Sequence, residues 1–90
     1  MPAVVRQTVS GRGSIVIRRP GPSDDEAVGE LVELADRPSP PAPLLLAESD
    51  GRLVAAMSTA TGEAVSDPFV AAADVIALLR LRAAQLDAAA

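Results

Sequence analysis

Residues 44–58 read LLLAESDGRLVAAMS, two apolar segments separated by Asp50-Gly51. Asp-Gly is a strong signal for a two-residue hairpin turn, because glycine tolerates the positive φ that such turns need. We therefore predict antiparallel strands over 44–48 and 52–58. Successive strand residues point to opposite faces of a sheet, and both segments hold consecutive apolar residues, so both faces should be buried. One helix on each face, or a helix and a partner, would cover them.

The segment before the hairpin predicts a strand and a helix. The strand is expected over residues 14–18, which are rich in β-branched side chains. Ser23 followed by Glu26 fits a capping box, and the helical spacing of later apolar residues predicts a helix over 24–36. The next stretch, up to residue 43, holds four prolines, so no helix crosses it.

The segment after the hairpin predicts a short strand near 63–66 and a helix over 68–87, with Asp67 as its cap and Pro68 in its first position. One apolar stripe of this helix should face the core: Phe69, Ala72, Val75, Ile76, Leu79, Ala83 and Leu86. The other side, which a surface helix normally keeps polar, carries Val70, Leu78 and Leu81. Either this helix is wedged between two layers, or its far side meets another chain. We favour the second, because small domains often bury more surface by oligomerising, and interpret these three residues as a candidate protein interface.

Together these elements predict an α+β fold. Its core would be a mainly antiparallel sheet of three or four strands with two helices, in the order β-α-β-β-(β)-α. Residues 14–90 would form a single domain. Residues 1–13 are expected to be a flexible basic arm, with an edge strand as the alternative.

The composition excludes several kinds of chemistry. The 90-residue chain has a net charge of -4 and contains no Cys, His, Trp or Tyr. Nucleophilic catalysis by Cys or His systems, disulfides and Cys/His zinc sites are therefore excluded. The acids at 24–26 suit the positive end of a helix dipole, and Glu30 and Glu33 suit a solvated helix face. We predict no catalytic, cofactor-binding or metal-binding residue.

The charges are unevenly distributed along the chain. Residues 1–22 hold four of the eight arginines and no acid, and all twelve acids follow. Nucleic-acid contact by Arg6–Arg19 is a weak third possibility, because no aromatic side chain lies nearby to stack on bases. The start of the chain has no signal-peptide pattern, and no apolar run reaches the roughly 18 residues of a membrane span. We expect a cytoplasmic protein that does not enter the membrane.

The order of these segments resembles the N-terminal half of the GNAT-type N-acetyltransferases. The resemblance rests on the strand Ile15–Arg18 with the acidic helix after it, and on residues 44–55, which are similar to the family's hairpin V-A-E-x-D-G-x-x-V-G. Residues 64–69 (AVSDPF) and 78–86 (LLRLRAAQL) also resemble small actinobacterial proteins of unassigned role that look like truncated acetyltransferases.

The chain departs from that family where acetyl-CoA would bind. The family's Gln/Arg-x-x-Gly-x-Gly/Ala loop corresponds to residues 64–71, which hold no glycine or arginine, and Asp67 would repel phosphate. We therefore expect a non-enzymatic acetyltransferase-like fragment that self-associates or binds a protein partner, without a cofactor. The alternative is a residual acyl-CoA-binding protein or acyltransferase completed by another chain, which would need backbone amides at 68–70 to hold the phosphate.

Overall fold

The structure is a computed structural model that describes residues 5–9, 13–70 and 73–89. Its elements are, in chain order, β1 (Val5–Val9), β2 (Gly13–Arg18), α1 (Asp25–Ala35), β3 (Leu44–Ser49), β4 (Arg52–Ser58), β5 (Ala64–Ser66) and α2 (Ala73–Ala89). The strands form one antiparallel sheet in the order β1-β2-β3-β4-β5. The α+β fold class is confirmed, since β2 to β5 and the two helices follow the predicted order and β1 adds an edge strand.

The β3–β4 hairpin forms at the predicted turn. Asp50 has φ 53° and Gly51 has φ 80°, so both central residues adopt the left-handed conformation that suits the twist of the flanking strands. The pairing places Leu46 opposite Ala56, and the register shifts between Ala47 and Glu48. This hairpin forms the centre of the sheet.

One face of the sheet is covered by α1. Leu46, Ala56 and Val65 form a row across three neighbouring strands, and each is buried. Leu31 of α1 packs on this row, with Val28 partly buried beside it. Both helix residues face the sheet, because side chains three positions apart lie on the same side of a helix.

The opposite face is covered by α2. Ile17, Ala47 and Ala55 lie side by side on β2, β3 and β4, and all three are buried. Val75 and Leu79 of α2 are the buried helix residues in this cluster. Each sheet face therefore has its own helix, as the consecutive apolar residues of the hairpin predict.

The start of α1 differs from the predicted capping box. The N-cap is Asp24, whose carbonyl accepts the first helical hydrogen bond from the Val28 amide at 2.9 Å. Ser23 therefore lies one residue too early, and no side chain caps the helix. The Asp24 carboxylate instead accepts hydrogen bonds from the Gly21 amide and the Arg18 guanidinium.

The start of α2 is also corrected. The helix begins at Ala73 rather than at residue 68, because residues 67–70 form a turn. Phe69 is consequently absent from the buried stripe and is 83% exposed. The rest of the described stripe holds its predicted side: Val75 and Leu79 are buried, and Ile76, Ala83 and Leu86 are partly buried. Ala72, also predicted for this stripe, lies outside the described residues.

Part of the segment expected to be a flexible arm is a strand. Val5–Val9 pairs with β2, from Val5 opposite Ile17 to Val9 opposite Gly13, which matches the alternative of an edge strand. Residues 1–4 and 10–12 of the predicted arm lie outside the described residues. Within the described chain, neither helix combines the length and the apolar character that crossing a membrane requires.

Two glycines should respond oppositely to alanine. Gly51 has φ 80°, which a side chain disfavours, so Gly51→Ala should lower the free energy of unfolding by about 1 kcal/mol. Gly29 is helical and a Cβ there would meet no atom within 4 Å, so Gly29→Ala should raise it by about 0.5–1 kcal/mol. Urea denaturation followed by circular dichroism measures both, and shifts of the same sign would contradict this account.

Candidate functional site

A hydrogen-bonded turn at residues 67–70 follows β5 and precedes α2. Asp67 is 1% exposed, and its Oδ1 accepts a hydrogen bond from the Phe69 amide at 2.8 Å. The Val70 amide donates to the Asp67 carbonyl at 3.1 Å. The Asp67 amide donates to the Val54 carbonyl at 2.9 Å, so the turn is fixed to the sheet by its first residue.

A long-range ion pair holds the buried carboxylate. Arg52, the first residue of β4, donates from Nη2 to Asp67 Oδ2 at 2.9 Å. A buried carboxylate is costly unless it is paired and hydrogen-bonded, and Asp67 has a partner for each oxygen. The Arg52 side chain remains mostly exposed, so water screens this pair on one side.

The turn presents Phe69, the chain's single aromatic residue. At 83% exposed, it is by far the most exposed large apolar side chain among the described residues. Its backbone is fixed by the Asp67 carboxylate, so little backbone entropy would be lost when a partner covers the ring. Fixed, protruding aromatic side chains are typical anchors of protein interfaces.

The same turn uses the amides that a phosphate group would need. Pro68 has no amide hydrogen, Phe69 donates to the Asp67 carboxylate and Val70 donates to the Asp67 carbonyl. An anion bound here would have to break these bonds beside a negative charge. The geometry therefore opposes the alternative of an acyl-CoA phosphate held at 68–70.

The three residues of the predicted interface do not share one exposed surface. Val70 and Leu78 are partly buried against the cluster under α2, whereas Leu81 is 54% exposed. Sequence reasoning missed Phe69, because a helix starting at residue 68 would turn its ring toward the core. The usable signal was Asp67 itself, since Asp side chains often accept a hydrogen bond from the amide two residues on.

A second polar cluster ties β2 to the start of α1. Arg18 forms ion pairs with Asp24, at 2.7 Å from Nη1, and with Glu48. Hydrogen bonds from the Arg18 guanidinium and from the Gly21 amide lower the pKa of Asp24 to about 2. The same carboxylate, followed by Glu48, raises the pKa of Arg18. Arg18 is thereby engaged inside the domain rather than available to nucleic acid.

The remaining polar candidates have structural partners or face solvent. Glu30 and Glu33 are exposed on α1, and no cluster of carboxylates suited to a metal ion occurs among the described residues. Ser58 is buried, and its Oγ accepts hydrogen bonds from the Ala60 and Thr61 amides at 3.2 and 3.1 Å. Throughout the described chain, each buried polar side-chain atom has a hydrogen-bond partner.

Two open clefts are large enough for a ligand or a peptide. The first, about 650 Å³, lies between α1 and the proline-rich loop, with Val28, Val32 and Pro43 in its walls. Its charged lining residues, Arg19 and Asp25, have opposite signs and are exposed. The second, about 570 Å³, runs along the outer edge of β5.

Comparison with known proteins found no matching family model, no similar curated protein and no similar solved structure.

The Arg52–Asp67 pair can be tested by a double-mutant cycle. Arg52→Ala leaves a buried carboxylate without its cation, so we expect it to lower the free energy of unfolding by about 1 kcal/mol. In an Asp67→Asn background the charge is absent, and the same substitution should cost close to nothing. Urea denaturation of the four proteins measures the difference, and an equal cost in both backgrounds would show that the pair contributes nothing.

The Asp24 cluster predicts acid sensitivity. Because folding lowers the pKa of Asp24 from 3.8 to about 2, its contribution is fully present above pH 4 and is lost as pH falls through 2. We expect Asp24→Asn to reduce stability at pH 7 by about 1–2 kcal/mol and to flatten the pH dependence between these values. Asp25→Asn, one residue along and exposed, is the control. An unchanged acid profile in Asp24→Asn would refute the assignment.

Proposed function

We propose that this chain is a non-enzymatic, cytoplasmic binding module, an acetyltransferase-like fragment that associates with protein, either a second copy of itself or another partner. The observation that carries the proposal is the presentation of Phe69. A soluble chain with one aromatic residue would normally bury it, because covering such a side chain contributes about 2 kcal/mol. Here Phe69 is exposed instead, on a turn whose backbone is held by the buried Asp67 carboxylate.

The surrounding chemistry supports binding over catalysis. The turn that carries Phe69 has its amides already bonded, and the nearest carboxylate, Asp67, is engaged by Arg52. A general acid or base needs a titratable group that can reach a substrate. Asp67 is enclosed and held by two partners, so it serves the turn rather than a reaction.

Self-association is the form of the proposal that can be tested first. Phe69→Ser should weaken association about tenfold or more, measured by sedimentation equilibrium of the full chain, because anchor side chains dominate binding energies. Leu34→Ser is the matched control: Leu34 is 43% exposed but lies on α1, across the sheet from α2. Leu81→Ser tests whether the exposed residue of the predicted interface takes part.

The results separate the candidate functions. Association that falls in Phe69→Ser and persists in Leu34→Ser supports the module. A wild-type chain that stays monomeric removes self-association and leaves a different protein as partner. Heat released on titration with acetyl-CoA, retained in Phe69→Ser, would instead favour the acyl-CoA alternative and overturn the proposal.

A further inference from the structure

The outer edge of β5 carries unpaired backbone groups. The Ser58 amide donates to Glu63, and the Asp67 amide donates to Val54, so hydrogen-bonded pairs alternate along the β4–β5 ladder. This alternation turns the amide and carbonyl of Val65 toward β4. The amides and carbonyls of Ala64 and Ser66 therefore point away from the sheet, and no described strand lies beyond them.

These groups line a groove rather than an open surface. The cleft of about 570 Å³ has Ala64 and Ser66 along its floor, Ile76 of α2 on one side and Pro40 of the proline-rich loop on the other. Pro40 is buried, so that wall is fixed by the fold. An extended chain that pairs with this edge would lie in the plane of the sheet, between these two walls.

The groove is positively charged in a protein that is acidic overall. Arg37, just after α1, and Arg80 of α2 both line it, and neither forms an ion pair with a described residue. Glu63 is the single acid among the lining residues. Two arginines on opposite sides of a sheet edge complement a segment that carries acidic side chains on both of its faces.

We infer that an extended acidic segment of a partner protein adds to β5 as a sixth strand. Its backbone would exchange hydrogen bonds with Ala64 and Ser66, and its acidic side chains would meet Arg37 and Arg80. The inference rests on the proposed function and names the kind of segment that the module binds. The chain's own β1, VRQTV, is a poor candidate because it carries an arginine and no acid.

The test is an NMR titration of the full, isotope-labelled chain with a blocked pentapeptide, Glu-Val-Thr-Glu-Val, whose two glutamates face opposite sides of an extended strand. We expect chemical-shift changes at the amides of Ala64 and Ser66 with millimolar peptide or less. Arg37→Glu and Arg80→Glu should each weaken binding about fivefold, as expected for exposed charge pairs. Arg82→Glu is the matched control, because it makes the same charge change on α2 outside the groove.

Ser66→Pro tests the backbone contribution. Proline removes the outward amide of Ser66 and leaves the Val65 bonds to β4 in place, so binding should be lost while the rest of the spectrum stays unchanged. If Ser66→Pro fails to fold, Arg37→Glu and Arg80→Glu still test whether the acidic segment binds in this groove.

Three results would overturn strand addition: no shift at β5, equal binding of Lys-Val-Thr-Lys-Val, or an equal effect of Arg82→Glu and Arg80→Glu. Any of these results together with Phe69-dependent association would remove strand addition and leave the binding module intact. Peptide binding without Phe69-dependent association would support strand addition and remove self-association through Phe69.

Discussion

The two-sided burial of the β3–β4 hairpin is the constraint from which the architecture follows. Leu45 and Leu46 are adjacent, face opposite sides of the sheet and are both fully buried. Ala55 and Ala56 repeat this on the next strand. Such strands cannot leave either face to water, so the chain must supply a helix before the hairpin and another after it. The alanines in the sheet centre leave room for both helices to pack closely.

Asp67 shapes the turn that follows the last strand, β5. Asp67 is buried at the end of β5, and its carboxylate accepts the Phe69 amide in a turn that precedes α2. Arg52 makes that burial tolerable. The exposed aromatic residue follows β5 and the groove runs beside it, so both lie at the side of the sheet farthest from β1.

Local signals in the sequence were enough for the hairpin, for strands β2 to β5 and for the number of helices, but not for β1, which lies in the segment expected to be a flexible arm. They were insufficient at both helix starts, because each is decided by a carboxylate whose partner lies elsewhere in the chain. The Asp24 carboxylate binds Arg18 instead of capping α1, and the Asp67 carboxylate pairs with Arg52, fifteen residues earlier. The candidate site was missed for the same reason. Moving the start of α2 exposes Phe69, and Val70 and Leu78 turn out to pack on the core.

The brevity of β5 has a consequence for aggregation. A long, flat edge strand can template the stacking of many chains. Ala64–Ser66 is three residues long, with a turn at Gly62 before it and Pro68 after it. The edge therefore has only a few free hydrogen-bonding groups. It can pair with one short guest strand, but it disfavours the extended, repeating contact on which fibril growth depends.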